Sequence, residues 1–367
     1  MMKEESINLF SMILHAARTN DASDIHLIAG LPPAFRVSGE IITAGDCDPL
    51  SREALIELAD AILTPRQRDR LEQERELSIS YYHPECGRIR LSLYHRIGVP
   101  EMAIRMCNLE IKTAEALMLP RVVERLAALT SGLVIVTGPT GMGKTTTLNY
   151  MIDIINRTRR GKIITIEDPV EFEHPHRKCL VTQIEVGTDT LSFARCLRHV
   201  LRLNPDVICI GEMRDLDTME TALTAAETGH LVIATLHTPN AVSTIERIAF
   251  AFDGPRQALV VFQLATTLQG VIAQRLIPRL DKQGRVLATE VLIANDAVRN
   301  IIREKRLHQL HNVVATSKTE DGMHTLESSL ADLYQRGLIT YDAALAQATD
   351  PEQLRSLVHP RNNAAPL

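Results

Sequence analysis

The chain alternates between two kinds of hydrophobic pattern, and the change falls near residue 132. Before it, apolar residues recur either at helical spacing or at every second position. Residues 3 to 19 follow the helical period, and "SDIHLIAG" and "PAFRVSGEI" read as two strands separated by a turn at Leu31–Pro33. Residues 51 to 75 predict two helices broken at Thr64-Pro65. "ELSISYY", "GRIRLSLYH" and "EMAIRMC" then predict three strands, which closes a small α+β unit at residues 1–107. Residues 108–120 read as a linker into the helix "PRVVERLAAL".

After Gly132 the apolar runs become continuous. "GLVIVTG", "KIITIED", "DVICIGE" and "LVIATLH" alternate with helical stretches, the pattern of a parallel sheet covered on both faces. "VIAQRLIPRL" and "RVLATEVLIA" predict a hairpin around Lys282–Gly284. This α/β region spans 121–294, followed by helices over 295–358 and a polar tail at 359–367 expected to be disordered.

Composition narrows the classes. The 367 residues are 45% hydrophobic with net charge −5, no Trp and 4% aromatics, so neither a basic surface nor a base-stacking platform points to nucleic acid. No apolar run approaches the roughly 20 residues of a membrane span. The start MMKEESINLF has no signal-peptide pattern, which places the expectation in the cytoplasm. Six cysteines, none in C-x-x-C spacing, read as single thiols rather than a structural zinc site.

The chemistry concentrates where strands end. "GLVIVTG" runs into Pro139, Thr140, Gly141, Met142, Gly143, Lys144, Thr145 and Thr146; with Gly138 this is G-x-x-x-x-G-K-T between a strand and a helix. Glycines let backbone N–H groups curl around phosphate oxygens, and the helix N-terminus adds its positive end. Lys144 is expected at the β- and γ-phosphates of ATP, and Thr145 on Mg²⁺. Where many NTPases end the second nucleotide strand in Asp, this chain has Gly211 and then Glu212, the candidate for polarising the attacking water. "ITIEDPVEFEH" supplies Glu167, Asp168 and Glu171 at the same sheet edge, and Glu167 and Asp168 are the candidate metal carboxylates, with Glu167 the first choice.

"GHLVIATLHTPN" carries His230 and His237 at opposite ends of an apolar run. Seven residues apart on a strand, they point to opposite faces and lie about 23 Å apart. Only His237 is therefore expected beside the phosphate loop and Glu212. His230, although grouped with the nucleotide-contacting residues, is expected at a subunit or domain contact or orienting neighbours.

GPTGMGKTT, ITIEDPVEFEH, the IGEMRD strand and GHLVIATLHT, in this order, resemble the Walker A, Asp box, Walker B and His box of the secretion ATPases of type IV pili and type II secretion. The resemblance is strongest to the pilus retraction motors of the PilT/PilU type, whose C-terminal signature is matched by "AVRNIIRE" at Ala297–Glu304. Met142 departs from that pattern, where a small Ser is usual, as does "TPNA" in place of "TNSA".

The resemblance implies a PAS-like N-terminal domain, a RecA-like P-loop domain with a C-terminal helical region, and a ring of six subunits. It also implies arginines of the N-terminal domain that reach the γ-phosphate. Arg88, Arg90, Arg96 and Arg105 stand at the matching places, with Arg90 and Arg105 preferred because apolar positions alternate around them. The implied function is a Mg²⁺-dependent ATPase driving pilus disassembly through a platform protein, peripherally associated with the cytoplasmic face of the inner membrane. The alternatives are an extension or secretion ATPase of the same fold, a nucleotide-binding regulator with little hydrolysis, and a DNA-translocating enzyme.

Overall fold

A computed structural model describes residues 3–37, 39–45, 47–107, 110–281, 284–317 and 322–359. Most of the tail, residues 108–109 of the linker, and residues 282–283 of the hairpin turn lie outside the described residues. The chain divides into two units. One comprises Met1–Glu110 with the later segments Asp168–Glu173 and Glu185–Asp189; the other comprises Ile111–Glu167, His174–Ile184 and Thr190–Leu367.

The first unit runs α1 (Lys3–Thr19), β1 (Ala22–Leu27), β2 (Ala34–Val37), β3 (Glu40–Thr43), α2 (Arg52–Ile62), α3 (Pro65–Glu74), β4 (Glu76–His83), β5 (Gly87–Arg96) and β6 (Val99–Met106). Its six strands form one sheet in the order β3-β2-β1-β6-β5-β4. Helix α1 is amphipathic, and Phe10, Ile13, Leu14 and Ala17 enter a core with Leu55 and Leu58 of α2 and Ile89, Leu91 and Leu93 of β5. Thr64 caps α3 in a full capping box with Gln67, and Pro65 takes the first turn, which explains the break between α2 and α3. The single strand expected over "PAFRVSGEI" is two: β2 and β3 pair antiparallel with Val37 opposite Glu40, and Gly39 between them has a φ of +93°. A turn with φ above zero suits glycine, and it folds the run back on itself.

The second unit begins with α4 (Ala114–Leu117) and α5 (Val122–Ala127), then β7 (Gly132–Thr137), α6 (Lys144–Thr158), β8 (Gly161–Glu167), β9 (Cys179–Glu185), α7 (Phe193–Val200), β10 (Val207–Ile210), α8 (Leu216–Glu227) and β11 (Leu231–Thr235). It continues through α9 (Ala241–Ala249), α10 (Gly254–Thr267), β12 (Leu268–Pro278), β13 (Arg285–Ile293), α11 (Asp296–Arg303), α12 (Leu310–Thr316), α13 (Leu326–Gln335), α14 (Tyr341–Gln347) and α15 (Pro351–Val358). The sheet order is β13-β12-β7-β11-β10-β8-β9. β12, β7, β11, β10 and β8 are mutually parallel, and β13 closes the edge antiparallel to β12.

Alternate residues of these strands face opposite sides, yet both sets are buried. Val134, Val136, Ile163, Val207 and Ile233 pack against Leu148, Met151, Ile152 and Ile155 of α6. Leu133, Ile135, Ile164, Ile208 and Val232, facing the other way, are also fully buried. Burial on both faces is the reason these runs are continuous rather than alternating. β7 is central, so the loop that follows it emerges mid-sheet with β11 and then β10 alongside.

No helix among the described residues is long and apolar enough to cross a membrane.

Candidate functional site: a phosphate loop wired to a carboxylate

β7 ends at Thr137, and Gly138 turns the chain with a φ of +140°. A Cβ there would lie 2.5 Å from the Gln274 carbonyl of β12, so only glycine fits. Gly143, with a φ of +82°, caps the N-terminus of α6. Lys144 is the first residue of α6 and is 8% exposed. Its ammonium donates to the carbonyls of Gly138 at 2.6 Å and Pro139 at 2.9 Å, which folds the side chain back over the loop. Burial lowers the Lys144 pKa, and the Glu212 carboxylate opposes that shift. Thr145 and Thr140 are exposed beside it, and Thr146 is half-buried.

Two contacts tie the loop to the β12–β13 hairpin. Leu276 N–H donates to the Met142 sulfur at 3.2 Å, and Arg285 donates to the Gly141 carbonyl at 3.3 Å. Met142, the departure from the usual small residue, thus turns toward the hairpin.

The segment after β10 is fixed by its backbone. Gly211 N–H donates to Ile166 O at 2.8 Å, Met213 N–H donates to Thr235 O at 3.0 Å, and Asp215 caps α8 through Thr218. Met213 is buried, whereas Glu212 is half-buried and Arg214 exposed, and these two side chains meet each other. Glu212 Oε1 lies 2.9 Å from His237 Nε2, and Oε2 lies 2.7 Å from Arg214 Nε.

His237 completes the chain: its Nδ1 lies 3.1 Å from Lys144 Nζ and 3.5 Å from Thr140 Oγ1. An ammonium can only donate, so Nδ1 accepts and the ring proton sits on Nε2, directed at Glu212. The result is a continuous path, Lys144–His237–Glu212–Arg214, from the phosphate loop to a carboxylate fixed at both oxygens.

Glu167 ends β8, is 4% exposed, and accepts on Oε1 from Thr165 Oγ1 at 2.6 Å and Gln183 Nε2 at 3.0 Å. Asp168 is exposed and Pro169 ends the strand. Thr145 lies in the first turn of α6, after the loop that leaves the C-terminal end of β7, and Glu167 ends β8; open α/β sheets bind ligands at that edge. They are hard oxygen donors, the class Mg²⁺ takes.

The arginines belong to the first unit. Arg88 and Arg90 lie on one face of β5, and Arg105 is opposite Arg90 on β6. Each has a partner within that unit: Arg88 with Ser80 at 2.9 Å and Glu173 at 3.4 Å, Arg90 with Glu171 at 4.0 Å, Arg105 with Asp24 at 3.0 Å, and Arg96 with Glu101 at 2.8 Å. None of these carboxylate partners is marked by a local sequence pattern.

His230 stands apart from the loop in its own chain. Its carbonyl accepts from Gly132 N–H at the start of β7, the end opposite Lys144. Its Nδ1 reaches the Ala225 carbonyl at 3.0 Å and Thr228 Oγ1 at 3.2 Å. Within this chain it therefore secures the end of α8. Arg214 is the residue the sequence reading missed; its position two beyond Glu212, with buried Met213 between, was the available sign.

The site is a P-loop nucleotide site on a predominantly parallel sheet, with a strand-end glutamate wired to the loop lysine through histidine. Residues 83–345 match the type II/IV secretion system protein family, and the chain belongs to that family. The type IV pilus retraction ATPase PilT of Pseudomonas aeruginosa is 42% identical over 331 residues, covering 90% of this chain and 95% of that protein. The type IV pilus ATPase PilU of the same organism is 38% identical over 349 residues, covering 95% and 91%. A crystal structure of the pilus retraction motor PilT with bound ADP superposes with a TM-score of 0.86 at 44% identity, covering 94% of this chain and 98% of that one.

Proposed function

We propose that the chain is a hexameric, Mg²⁺-dependent ATP hydrolase that powers type IV pilus retraction. The observation that carries the proposal is the unbroken path from Lys144 through His237 to Glu212, in a chain 90% of which aligns at 42% identity with a pilus retraction ATPase. In this reading residues 1–107 are a PAS-like domain, 108–120 a linker, 121–294 a RecA-like core, 295–358 a C-terminal helical region and 359–367 a tail. The motor works at the cytoplasmic face of the inner membrane on the pilus platform protein.

The backbone of residues 138–146 binds the triphosphate of the substrate, and Lys144 neutralises charge on the β- and γ-phosphates. Thr145, Glu167 and Asp168 would hold Mg²⁺, which supplies charge neutralisation on the phosphates when bound. Glu212 orients a water molecule for in-line attack on the γ-phosphorus and accepts its proton as the bond to the ADP oxygen breaks. His237 holds Glu212 in register with the lysine. Arg88, Arg90 and Arg105 serve as γ-phosphate ligands brought in by the N-terminal domain, and His230 serves a contact in the ring.

A deletion strain, scored for surface pili and twitching, tests the reading. Abundant surface pili with twitching abolished is the expected result. A bald cell would instead assign the chain to pilus extension.

A further inference from the structure

Glu212 is held from two sides, and the proposed mechanism uses only one of them. His237 grips Oε1 at 2.9 Å and links it to Lys144. Arg214 Nε grips Oε2 at 2.7 Å, the oxygen that His237 leaves free. The Arg214 side chain is 60% exposed against 16% for Glu212, so it approaches the carboxylate from the solvent side. There it lines an open groove of about 440 Å³ with Asp215, Leu216, Met219 and Phe250.

The platform under both residues is stiff. Residues 211, 213 and 215 are pinned by backbone or capping hydrogen bonds to β8, β11 and α8. Glu212 and Arg214 therefore move only through their side-chain torsions. A carboxylate has two oxygens and about four acceptor positions. With one donor on each oxygen its plane is fixed, and acceptor capacity is left for a water.

We propose that Arg214 is a positioning residue for hydrolysis: it fixes the plane of Glu212 from the solvent side while His237 fixes it from the lysine side. This rests on the reading of the chain as an ATP hydrolase. Without the guanidinium, the carboxylate pivots about its single remaining tether at His237. A misplacement of about 1 Å at a reacting group can cost on the order of 10²-fold in rate.

The test compares Arg214→Ala and Arg214→Lys with the wild-type full chain, measuring phosphate release, nucleotide affinity and thermal midpoint. Arg214→Ala is expected to lower kcat about 10- to 100-fold, with nucleotide Kd within about twofold of wild type and an unchanged melting temperature. Arg214→Lys, which keeps a donor and a charge, is expected to recover part of kcat. In a Glu212→Gln background, Arg214→Ala is expected to add nothing, because it acts through the carboxylate.

An unchanged kcat in Arg214→Ala would overturn the assignment. So would an equal loss with and without Glu212, or a loss that tracks a fall in melting temperature and is not relieved by lysine. Absence of turnover in the wild type would overturn the hydrolase reading first and this assignment with it. Wild-type turnover with an unaffected Arg214→Ala would overturn this assignment alone.

Discussion

Strand β11 starts beside one histidine and ends beside another, and the two rings carry their protons on opposite nitrogens. At the phosphate end, His237 Nδ1 accepts from Lys144, so Nε2–H points at Glu212. At the other end, His230 Nδ1 faces the Ala225 carbonyl, which can only accept, so the proton is on Nδ1. One ring joins two charged groups that chemistry needs. The other ties down the last turn of a helix. The same residue type on one strand becomes a relay or a cap according to what the topology places at that edge. In a parallel sheet the C-terminal edge holds the loops that bind ligands, and the opposite edge holds helix ends.

The largest effects are expected at the phosphate end. Lys144→Ala removes the charge that faces the phosphates, and turnover should fall by at least about 10²-fold with nucleotide affinity weakened, measured by phosphate release and nucleotide titration. Glu212→Gln keeps shape and loses the base; binding should persist while turnover falls about 10²- to 10⁴-fold. Comparable turnover in Glu212→Gln and wild type would mean that the His237 end is only another cap.

These two residues were legible in the sequence because each sits at a fixed offset in a local pattern, a glycine loop or the end of an apolar run. His237 was also placed at their edge of the sheet, but its direct bond to Lys144, 93 residues away in the chain, was not foreseen. Only the adjacency of β7 and β11 in the sheet brings them together. β9 escaped notice for a different reason. Cys179–Glu185 is an edge strand with mixed exposure, so it lacks the continuous apolar signature of its neighbours. The split of β2 from β3 hid behind one apolar run whose turn is marked by a single glycine, Gly39.

A stability prediction of intermediate size comes from His174, which is 4% exposed, its Nε2 facing Asn149 at 3.1 Å. Burial pushes its pKa down to about 4. Its neutral form is the one the fold holds, so the unfolded chain takes up the proton first as pH falls. The contribution is intact above about pH 6.5 and is lost as pH falls toward 4, amounting to about 3 kcal/mol at 1.36 kcal/mol per unit. Urea melts between pH 7 and 4.5 should show this slope in wild type and a smaller one in His174→Gln.

Smaller still is the contrast inside "AVRNIIRE". Arg299 of α11 donates to the last carbonyls of α10, Ala265 at 2.9 Å and Thr266 at 2.7 Å, so it acts as a structural cap. Arg303, on the same helix, is exposed. Arg299→Ala should cost about 1.5–3 kcal/mol in a chemical melt, and Arg303→Ala no more than about 0.5 kcal/mol. Of the two, Arg303 is then the position to examine for a partner-facing role, through loss of twitching at full ATPase rate.

His237 links lysine to carboxylate, and the direct measurement is steady-state phosphate release by His237→Ala and His230→Ala made side by side from the full chain. His237→Ala is expected to lose about 10- to 100-fold in kcat. His230→Ala is expected to stay within about twofold and to lose only about 1 kcal/mol of stability. The reverse order, with His230→Ala the slower enzyme, would contradict the account.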